Sequence, residues 1–483
     1  MTTQGDRRTF RNEDLILKVT TNIDPAVWDE SKYEAFLDEL CGTREYQKEA
    51  IRTTLRFLLG GKYASLRDLA KENFDHNPEL EQRYGSWAGM EKQLQLPDQL
   101  ACSIDQATGT GKSYVLYGLA AILMAEGAMD RVLVLCPSNT IEAGLLAKFK
   151  ELAANSDLRD LLPDTAKVRV PRIINASETI VDGSICVENY HAILETVKSS
   201  IRDSLKGKGA RVAVLNDEAH HVANESGSAA KRWKEFLLNP DYGFRMVVGV
   251  SGTCYVEDEY FADVVSRYSL RQAIEQRFVK KVEYVAEMPQ TDNPDEKWQL
   301  IHNRHEDWKK KLKKRGIRPL TIIVTRAIAD CTRVAEELQA FLQDWEEITS
   351  DQAKTKVLPV TSAKEHQANI ARLKLVDSPT SKVEWIVSVS MLSEGWDVKN
   401  IFQIVPHEER AFNSKLLIAQ VLGRGLRRPD GWQGEDPIVS VFNHDAWSGR
   451  IKHLVNEILE IERRLTSTVD PASSSNFELY NLD

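Results

Sequence analysis

Short apolar runs recur along the first half of the chain, and each is followed by a polar turn and a stretch with helical spacing. They are LACSI (100–104), RVLVLC (131–136), SICV (184–187), RVAVLN (211–216) and FRMVVGV (244–250). Runs of this length without polar alternation are typical of strands buried on both faces of a parallel sheet. Because the strands alternate with helical segments, the sequence predicts βαβ units.

The same pattern returns after a polar stretch at 289–319. Its apolar runs are LTIIV (320–324), KVLPV (356–360), EWIVSVS (384–390), IFQIVP (401–406) and PIVSVF (437–442). We therefore predict two α/β domains with parallel sheets, joined near residues 280–300. We expect an N-terminal, mostly helical segment over 1–97, with one helix from about Tyr46 to Leu59. The first domain is expected over 98–280, the second over 281–465 and a tail over 466–483.

Composition narrows the class of protein only coarsely. No apolar run approaches the roughly 20 residues that span a bilayer, and the charged N-terminus lacks an apolar signal core, so we expect a cytoplasmic protein without a membrane partner. The six cysteines are scattered without a CxxC pair, which argues against a cysteine zinc site or a disulfide framework and favours buried thiols. A net charge of −9 leaves a nucleic-acid ligand open, because polyanions bind local basic surfaces.

A phosphate-binding loop is predicted where the first apolar run ends. The segment 106–113 reads QATGTGKS, and a helical stretch follows it. Glycines at such a turn let backbone N–H groups surround phosphate oxygens, helped by the helix N-terminus. Lys112 is expected to contact the β- and γ-phosphates of ATP, and Ser113 to ligate Mg²⁺. Gln106 stands where the strict pattern has glycine. The residues predicted to bind nucleotide here are Thr108, Gly109, Thr110, Gly111, Lys112 and Ser113.

An acidic pair follows the run at 211–216, in the segment NDEAH (216–220). Carboxylates at the end of a buried parallel strand lie where open α/β sheets bind ligands. Asp217 is predicted to hold Mg²⁺, and Glu218 to orient and deprotonate the attacking water. An acidic pair after a strand is more often a solvated turn, but the upstream loop favours the catalytic interpretation.

The order GTGKS, then DEAH about a hundred residues later, resembles the superfamily 2 helicases and translocases. The resemblance covers roughly residues 40–445 and implies two tandem RecA-like domains with Mg-ATP in the cleft between them. In REYQ (44–47), Gln47 would read the adenine edge. In SGT (251–253), Ser251 and Thr253, together with His220, would couple hydrolysis to domain movement.

Two second-domain motifs complete this resemblance. SEGWD (393–397) would contact nucleic acid and nucleotide, with Gly395 and Asp397 on the nucleotide side. QVLGRGLR (420–427) matches the QxxGRxxR pattern, in which Gln420 faces the nucleotide and the arginines, here Arg424 and Arg427, reach across the cleft to the γ-phosphate.

A narrower resemblance is carried by VSMLSEGWDVKNIFQIVP followed by FNSKLLIAQVLGRGLRRP. These stretches are similar to the motor (Res) subunit of type III restriction enzymes, which implies duplex DNA as the polymer and a defence role. Such subunits carry a nuclease domain after the motor, with an Asp and then Glu-x-Lys around Mg²⁺. No such set follows Arg428, so we expect either a truncated chain or a nuclease, modification or recognition subunit on another polypeptide.

Three alternatives stay open at this point. An RNA helicase or remodeller uses the same motifs, and an ATP-gated sensor closes on nucleic acid and recruits a nuclease without translocating. A non-hydrolysing scaffold is disfavoured because the catalytic set is intact. Candidate contacts to the nucleic-acid strand are Pro137, Ser138, Asn139, Thr325 and Arg326. The basic run 308–315 is either a phosphate-binding patch or an ordinary charged helix face.

Overall fold

The computed structural model describes residues 11–194, 197–223, 228–256, 259–285, 290–291, 293–361, 363–389, 398–407 and 425–442. The strands are β1 (Leu100–Gln106), β2 (Arg131–Cys136), β3 (Arg172–Ile174), β4 (Ser184–Asn189), β5 (Val212–Asp217), β6 (Met246–Ser251), β7 (Tyr255–Val256), β8 (Glu259–Tyr260), β9 (Val264–Tyr268), β10 (Lys281–Val285), β11 (Leu320–Thr325), β12 (Val357–Val360), β13 (Trp385–Val389), β14 (Ile401–Pro406) and β15 (Ile438–Phe442).

The α-helices are α1 (Glu34–Cys41), α2 (Glu45–Leu59), α3 (Leu66–His76), α4 (Pro78–Tyr84), α5 (Trp87–Glu91), α6 (Lys112–Ala125), α7 (Asn139–Ala154), α8 (Ser156–Asp160), α9 (Ile201–Leu205), α10 (His220–Ala223), α11 (Ser228–Leu238), α12 (Leu270–Glu275), α13 (Pro294–Leu312), α14 (Ile328–Trp345), α15 (Ser350–Lys356) and α16 (Gln367–Leu373). None of the described helices is long and apolar enough to cross a membrane.

Two separate parallel sheets organise the chain. The first has the strand order β3-β4-β2-β5-β6-β1-β9, and the second has the order β10-β15-β14-β11-β13-β12. Every strand pair within them is parallel. We call the units built on them the first and second lobe. The predicted pair of RecA-like domains with a helical N-terminal segment is confirmed.

Each sheet is covered on both faces, as uninterrupted apolar strands require. One apolar cluster contains α6 and most of the N-terminal helices, and another packs on the opposite face of the first sheet. Two further clusters flank the second sheet in the same way. All six cysteine thiols are buried, as predicted. Helix α6 is buried from Val115 to Ala125, because it carries apolar residues on every face.

Helix α2 is fixed against α6 by a close approach at Gly118. A Cβ at this position would lie 2.7 Å from Ile51 Cδ1 and 2.9 Å from Leu40 Cδ2, so only glycine lets α1 and α2 pack this tightly. Because α2 begins at Glu45, this packing brings Tyr46 and Gln47 to the loop that precedes α6.

Two elements were not predicted in the region where the domains join. Strand β10 pairs with β15 at an edge of the second sheet, and its alternating residues KVEYV conceal it from a search for uninterrupted apolar runs. The polar stretch that follows contains the 19-residue helix α13. This helix buries Trp298, Ile301, Trp308 and Leu312 along one face. Charged residues dominate the composition of the segment, which is why it was described only as a polar stretch.

A buried aspartate lies beside the edge strand β9. Asp263 is 3% exposed, and its Oδ1 makes no hydrogen bond among the described residues. Burial raises the pKa of Asp263 from 3.8 to about 6, although a hydrogen bond with Ser103 opposes the shift. The carboxyl group is therefore ionised at neutral pH in a place that favours its neutral form.

We predict that Asp263→Asn stabilises the chain at pH 7.5 and has little effect near pH 4. The folded-state pKa is raised, so the stability supplied by the neutral acid is complete below about pH 4 and is lost as the pH rises through about 6. A shift of about two units corresponds to roughly 3 kcal/mol. Thermal unfolding at both pH values measures the effect, with Asp344→Asn on the exposed face of α14 as the control. Equal effects at both pH values would contradict the assignment.

Candidate active site

Three side chains converge on one backbone carbonyl of the predicted phosphate-binding loop. The oxygen of Thr110 accepts hydrogen bonds from Gln47 Nε2 at 2.7 Å, Tyr46 Oη at 2.9 Å and Gln106 Nε2 at 3.0 Å. Gln106, at the position where the strict pattern has glycine, also contacts the Thr110 hydroxyl at 3.1 Å.

This anchoring fixes the direction of the next N–H group. A peptide unit is planar and trans, so its C=O and N–H point in opposite directions. With the Thr110 oxygen held by the three donors, the N–H of Gly111 points away from them, and in a phosphate-binding turn such N–H groups face the phosphate. Gly111 has φ +85°, and a Cβ there would lie 2.6 Å from Gln47 Nε2. Both facts explain why this position is glycine.

Lys112 and Glu218 form an ion pair across the edge of the first sheet. Lys112 begins α6, Glu218 follows β5, and Lys112 Nζ lies 2.6 Å from Glu218 Oε1. Both side chains are mostly buried, at 11% and 18% exposure. Burial alone would lower the pKa of Lys112, but the carboxylates of Glu218 and Asp217 outweigh it and the pKa is raised. Lys112 is therefore an ammonium ion at neutral pH.

The backbone at Glu218 is strained. This residue has φ +52°, in the left-handed region that non-glycine residues seldom adopt, and it directly follows the last strand residue, Asp217. Such conformations cost roughly 1–3 kcal/mol and persist where the surroundings hold them, often at functional sites. The turn directs the Glu218 carboxylate toward Lys112.

The second oxygen of Glu218 faces a small polar cluster. Ser251 Oγ donates to Glu218 Oε2 at 3.5 Å, and His220 Nδ1 lies 2.9 Å from Ser251 Oγ and 3.0 Å from Thr253 Oγ1. These three predicted coupling residues are buried. A movement of Glu218 therefore changes the environment of the SGT segment at the end of β6.

The second lobe reaches the same loop through Arg427. A Cβ at Gly109 would lie 3.2 Å from Arg427 Cγ, so the arginine stem lies directly on the phosphate-binding loop. Arg427 also pairs with Val279 in an antiparallel bridge. This bridge ties the QxxGRxxR segment to the chain that enters the second lobe.

A fully buried lysine supports this bridge. Lys280 Nζ donates to the carbonyl oxygens of Lys399 at 2.6 Å, Ile401 at 2.6 Å and Gly425 at 3.2 Å. Three acceptors match the three N–H groups of an ammonium ion, while burial lowers the pKa of Lys280 well below its ordinary value. Lys280 is therefore an internal clamp between β14 and the segment that carries Arg427.

The other predicted site residues are distributed as follows. Ser113 lies half-buried in the first turn of α6, and Asp217 ends β5 beside Lys112. Thr108 lies close to Gly252, where a Cβ would be 2.7 Å from its hydroxyl oxygen. Four predicted residues lie outside the described part of the chain, namely Gly395, Asp397, Gln420 and Arg424.

The candidate strand contacts differ in how available they are. Ser138 caps α7 by accepting from Ile141 N, and Asn139 lines a cavity of about 420 Å³ with Asn189 and His191. Thr325 is fully buried and donates to the Ser388 carbonyl, so its hydroxyl is not displayed, while Arg326 is exposed.

The basic run at 308–315 behaves mainly as a helix face. Trp308 is buried and donates to Ser440 Oγ at 3.1 Å, and Lys309 pairs with Glu306 at 2.7 Å. These contacts favour the structural interpretation for both residues.

Sequence reasoning missed three residues of the site. Tyr46 stacks on Tyr268 with ring centroids 3.7 Å apart and donates to the loop. Gln106 was noticed only as a departure from the glycine pattern, which was the available signal for its role. Lys280 carried no signal, since a lysine pair beside a predicted domain junction is normally solvated.

We predict that Gln106→Ala raises the KM for ATP about two- to tenfold, with a smaller effect on kcat. Two hydrogen bonds to Thr110, each of roughly 0.5–1.5 kcal/mol, are lost, and the loop is held less firmly in its binding conformation. Tyr46→Phe removes a second donor from the same carbonyl, so the double variant should lose more than the sum of the single effects. An unchanged KM with additive effects would show that the Thr110 carbonyl needs no such support.

The chain is similar to a known protein family and to several solved structures. Residues 40–255 match the family model of the type III restriction enzyme, res subunit. No curated protein sequence matches the chain. A fragment of an HsdR subunit of a type I restriction enzyme from Vibrio vulnificus YJ016 has the same fold, with TM-score 0.52, 16% identity and coverage of 88% of this chain and 68% of that one.

Two further solved structures are similar at lower scores. Dbp5 of S. cerevisiae, bound to RNA and ADP BeF3, has TM-score 0.47 and 13% identity over 88% of this chain and 93% of that one. The type ISP restriction-modification enzyme LlaBIII, bound to DNA, has TM-score 0.47 and 14% identity over 86% of this chain and 29% of that one. The family match over residues 40–255 makes this part of the chain similar to the res subunit of type III restriction enzymes, and the two-lobed fold is shared with the HsdR fragment.

Proposed function

We propose that the chain is a motor that couples hydrolysis of Mg-ATP to movement along duplex DNA, as part of a restriction or related defence system. The observation that carries this proposal is the contact between Lys112 and Glu218 beneath the stem of Arg427. A phosphate-binding cation, a general base and an arginine from the other lobe are the three groups that phosphoryl transfer from ATP to water requires.

The chain's own residues divide the chemical work. ATP supplies the γ-phosphoryl group as substrate, and Asp217 and Ser113 are the residues that would hold its Mg²⁺. Lys112 exchanges Glu218 for phosphate oxygens, and Glu218 becomes available to orient and deprotonate water. The same exchange changes the contact between Glu218 and Ser251, which lies 3.5 Å away, and so carries the state of the nucleotide site to the end of β6.

Arg427 makes hydrolysis depend on the second lobe. An arginine that reaches the transferred phosphoryl group from a separate element contributes about 10³–10⁵ in rate. Because Arg427 is bound to Val279 and its segment to Lys280, it moves with the second lobe. Closing and opening of the lobes then alternate with binding and hydrolysis, and produce a step if each lobe holds the DNA backbone in turn.

Duplex DNA is favoured as the polymer because residues 40–255 match a restriction-enzyme family. We assign sequence recognition, DNA modification and cleavage to a separate subunit or domain, since the described residues form the N-terminal helices and the two lobes. An RNA helicase and a sensor that closes without moving are the competing functions.

We predict that duplex DNA stimulates ATP hydrolysis strongly, and that Glu218→Gln lowers the stimulated rate by about 10²-fold or more through loss of the general base. The assay compares no polymer, duplex DNA, single-stranded DNA and duplex RNA. Glu151→Gln, an exposed change on α7, is the matched control.

Each outcome separates the candidate functions. Stimulation mainly by RNA would contradict the restriction-type function and support an RNA remodeller, with dependence on ribose 2′-OH groups as the confirming test. Stimulation by duplex DNA without displacement of a protein roadblock would favour the sensor. Equal rates with and without polymer would contradict a nucleic-acid motor.

A further inference from the structure

A cluster of histidines and carboxylates lies in the second lobe, away from the nucleotide-binding loop. His302, His305 and Glu306 share one face of α13 at spacings of three and four residues. Glu346 at the end of α14 and Glu384 just before β13 face them. The nucleotide-binding loops follow the carboxyl ends of strands, whereas Glu384 precedes its strand, so this cluster lies at the opposite edge of a sheet.

The donor atoms form two adjoining groups that share Glu306. His302, Glu306 and Glu346 form one group, and His305, Glu306 and Glu384 form the other, with the donor atoms of each group within 4.8 Å of one another. His302 Nε2 lies 2.9 Å from Glu346 Oε1, and His305 Nε2 lies 3.5 Å from Glu384 Oε2. A tetrahedral zinc site with bonds of about 2.0–2.1 Å has its donors about 3.4 Å apart, so small side-chain shifts close either group around an ion.

His305 gives an independent indication of a ligand. It is 1% exposed, its Nδ1 lies 2.9 Å from Thr321 Oγ1, and its Nε2 faces Glu384 Oε2 at 3.5 Å, beyond the length of an ordinary hydrogen bond. The Thr321 contact orients the ring so that Nε2 is directed at the carboxylates. Metal-binding histidines usually have such a contact on the ring nitrogen that does not bind the metal, and this contact orients the ring. Both imidazoles are further held by the ring of Trp385, at 4.4 Å from His305 and 6.1 Å from His302.

The charges in the cluster leave room for a cation. Three carboxylates face two lysines: Lys309 Nζ lies 2.7 Å from Glu306 and 3.2 Å from Glu384, and Lys356 contacts Glu346 and lies 3.6 Å from Glu384. The lysine side chains are 34% and 21% exposed, on long flexible stems, so either ammonium group can withdraw into solvent. A divalent ion that replaced one lysine would neutralise the charge of the carboxylates and bind His305 Nε2.

We propose that this cluster binds a divalent transition-metal ion of the zinc type, with His305, Glu306 and Glu384 as ligands. The adjoining pair, His302 and Glu346, either completes the coordination of the ion or replaces some of these ligands. Mixed imidazole and carboxylate donors suit this class of ion. The ion would tie α13, the end of α14 and the start of β13 together, and so would stabilise the second lobe without taking part in ATP hydrolysis.

The test uses the full chain, stripped with a chelator and titrated with Zn²⁺ in a thermal unfolding assay and with Co²⁺ by visible absorption. We expect one equivalent of Co²⁺ with a tetrahedral or five-coordinate spectrum, and a rise of several degrees in Tm with Zn²⁺. Glu306→Gln should weaken binding at least tenfold. Lys356→Gln should strengthen it, because a competing cation is removed.

Two controls separate a metal site from other causes. Asp217→Asn removes the predicted Mg²⁺ ligand at the ATP site and should leave the stoichiometry of Co²⁺ unchanged. Glu337→Gln, on the exposed face of α14, should behave as wild type. If no ion binds at micromolar concentration, or if Glu306→Gln and Lys356→Gln both weaken binding or leave it unchanged, the cluster is an ion-pair network and the proposal is wrong.

Discussion

The ion pair between Lys112 and Glu218 is the interaction on which the rest of the site depends. Each side chain comes from a different loop of the first sheet, and each is largely withdrawn from water. A buried charge that loses its partner destabilises the protein strongly, so Lys112 cannot release Glu218 unless another anion takes its place. Phosphate oxygens are that anion in the proposed mechanism. Binding of the nucleotide and release of the base are then one event, and the cluster of His220, Ser251 and Thr253 senses it through the other oxygen of Glu218.

The surroundings of this pair are held by backbone contacts more than by catalytic side chains. Three donors from α2 and β1 fix the Thr110 carbonyl, and with it the adjoining N–H. On the other side, the buried Lys280 gathers three carbonyl oxygens of the second lobe around the segment that carries Arg427. The bridge from Val279 to Arg427 then passes directly over Gly109. The proposed nucleotide site therefore lies where the connection between the lobes meets the predicted phosphate-binding loop.

Much of this architecture could be predicted from the sequence, for a physical reason. Strands buried on both faces must be apolar throughout, so all ten predicted runs, from LACSI to PIVSVF, became strands. The predicted phosphate-binding loop and acidic pair stand out in the sequence because the chemistry expected of them fixes residue type and spacing locally. Strands β9 and β10 were missed because edge strands carry polar residues, such as Arg267, which forms a buried ion pair with Asp105. The roles of Gln106 and Lys280 depend on partners far away in sequence, which no local pattern reveals. Residues 390–397 and 408–424 lie outside the described part of the chain, so their roles stay predictions.

In the proposed mechanism, Lys112 and Arg427 act on one nucleotide from two lobes. The most direct measurement is a crystal structure of the chain with Mg²⁺ and ADP–beryllium fluoride. We expect Lys112 Nζ and Glu218 to separate beyond about 4 Å, the usual limit of an ion pair, and Lys112 and the Arg427 guanidinium both to contact the fluoride group. A bound analogue with the Lys112–Glu218 pair intact, or with Arg427 directed away from the fluoride, would contradict it.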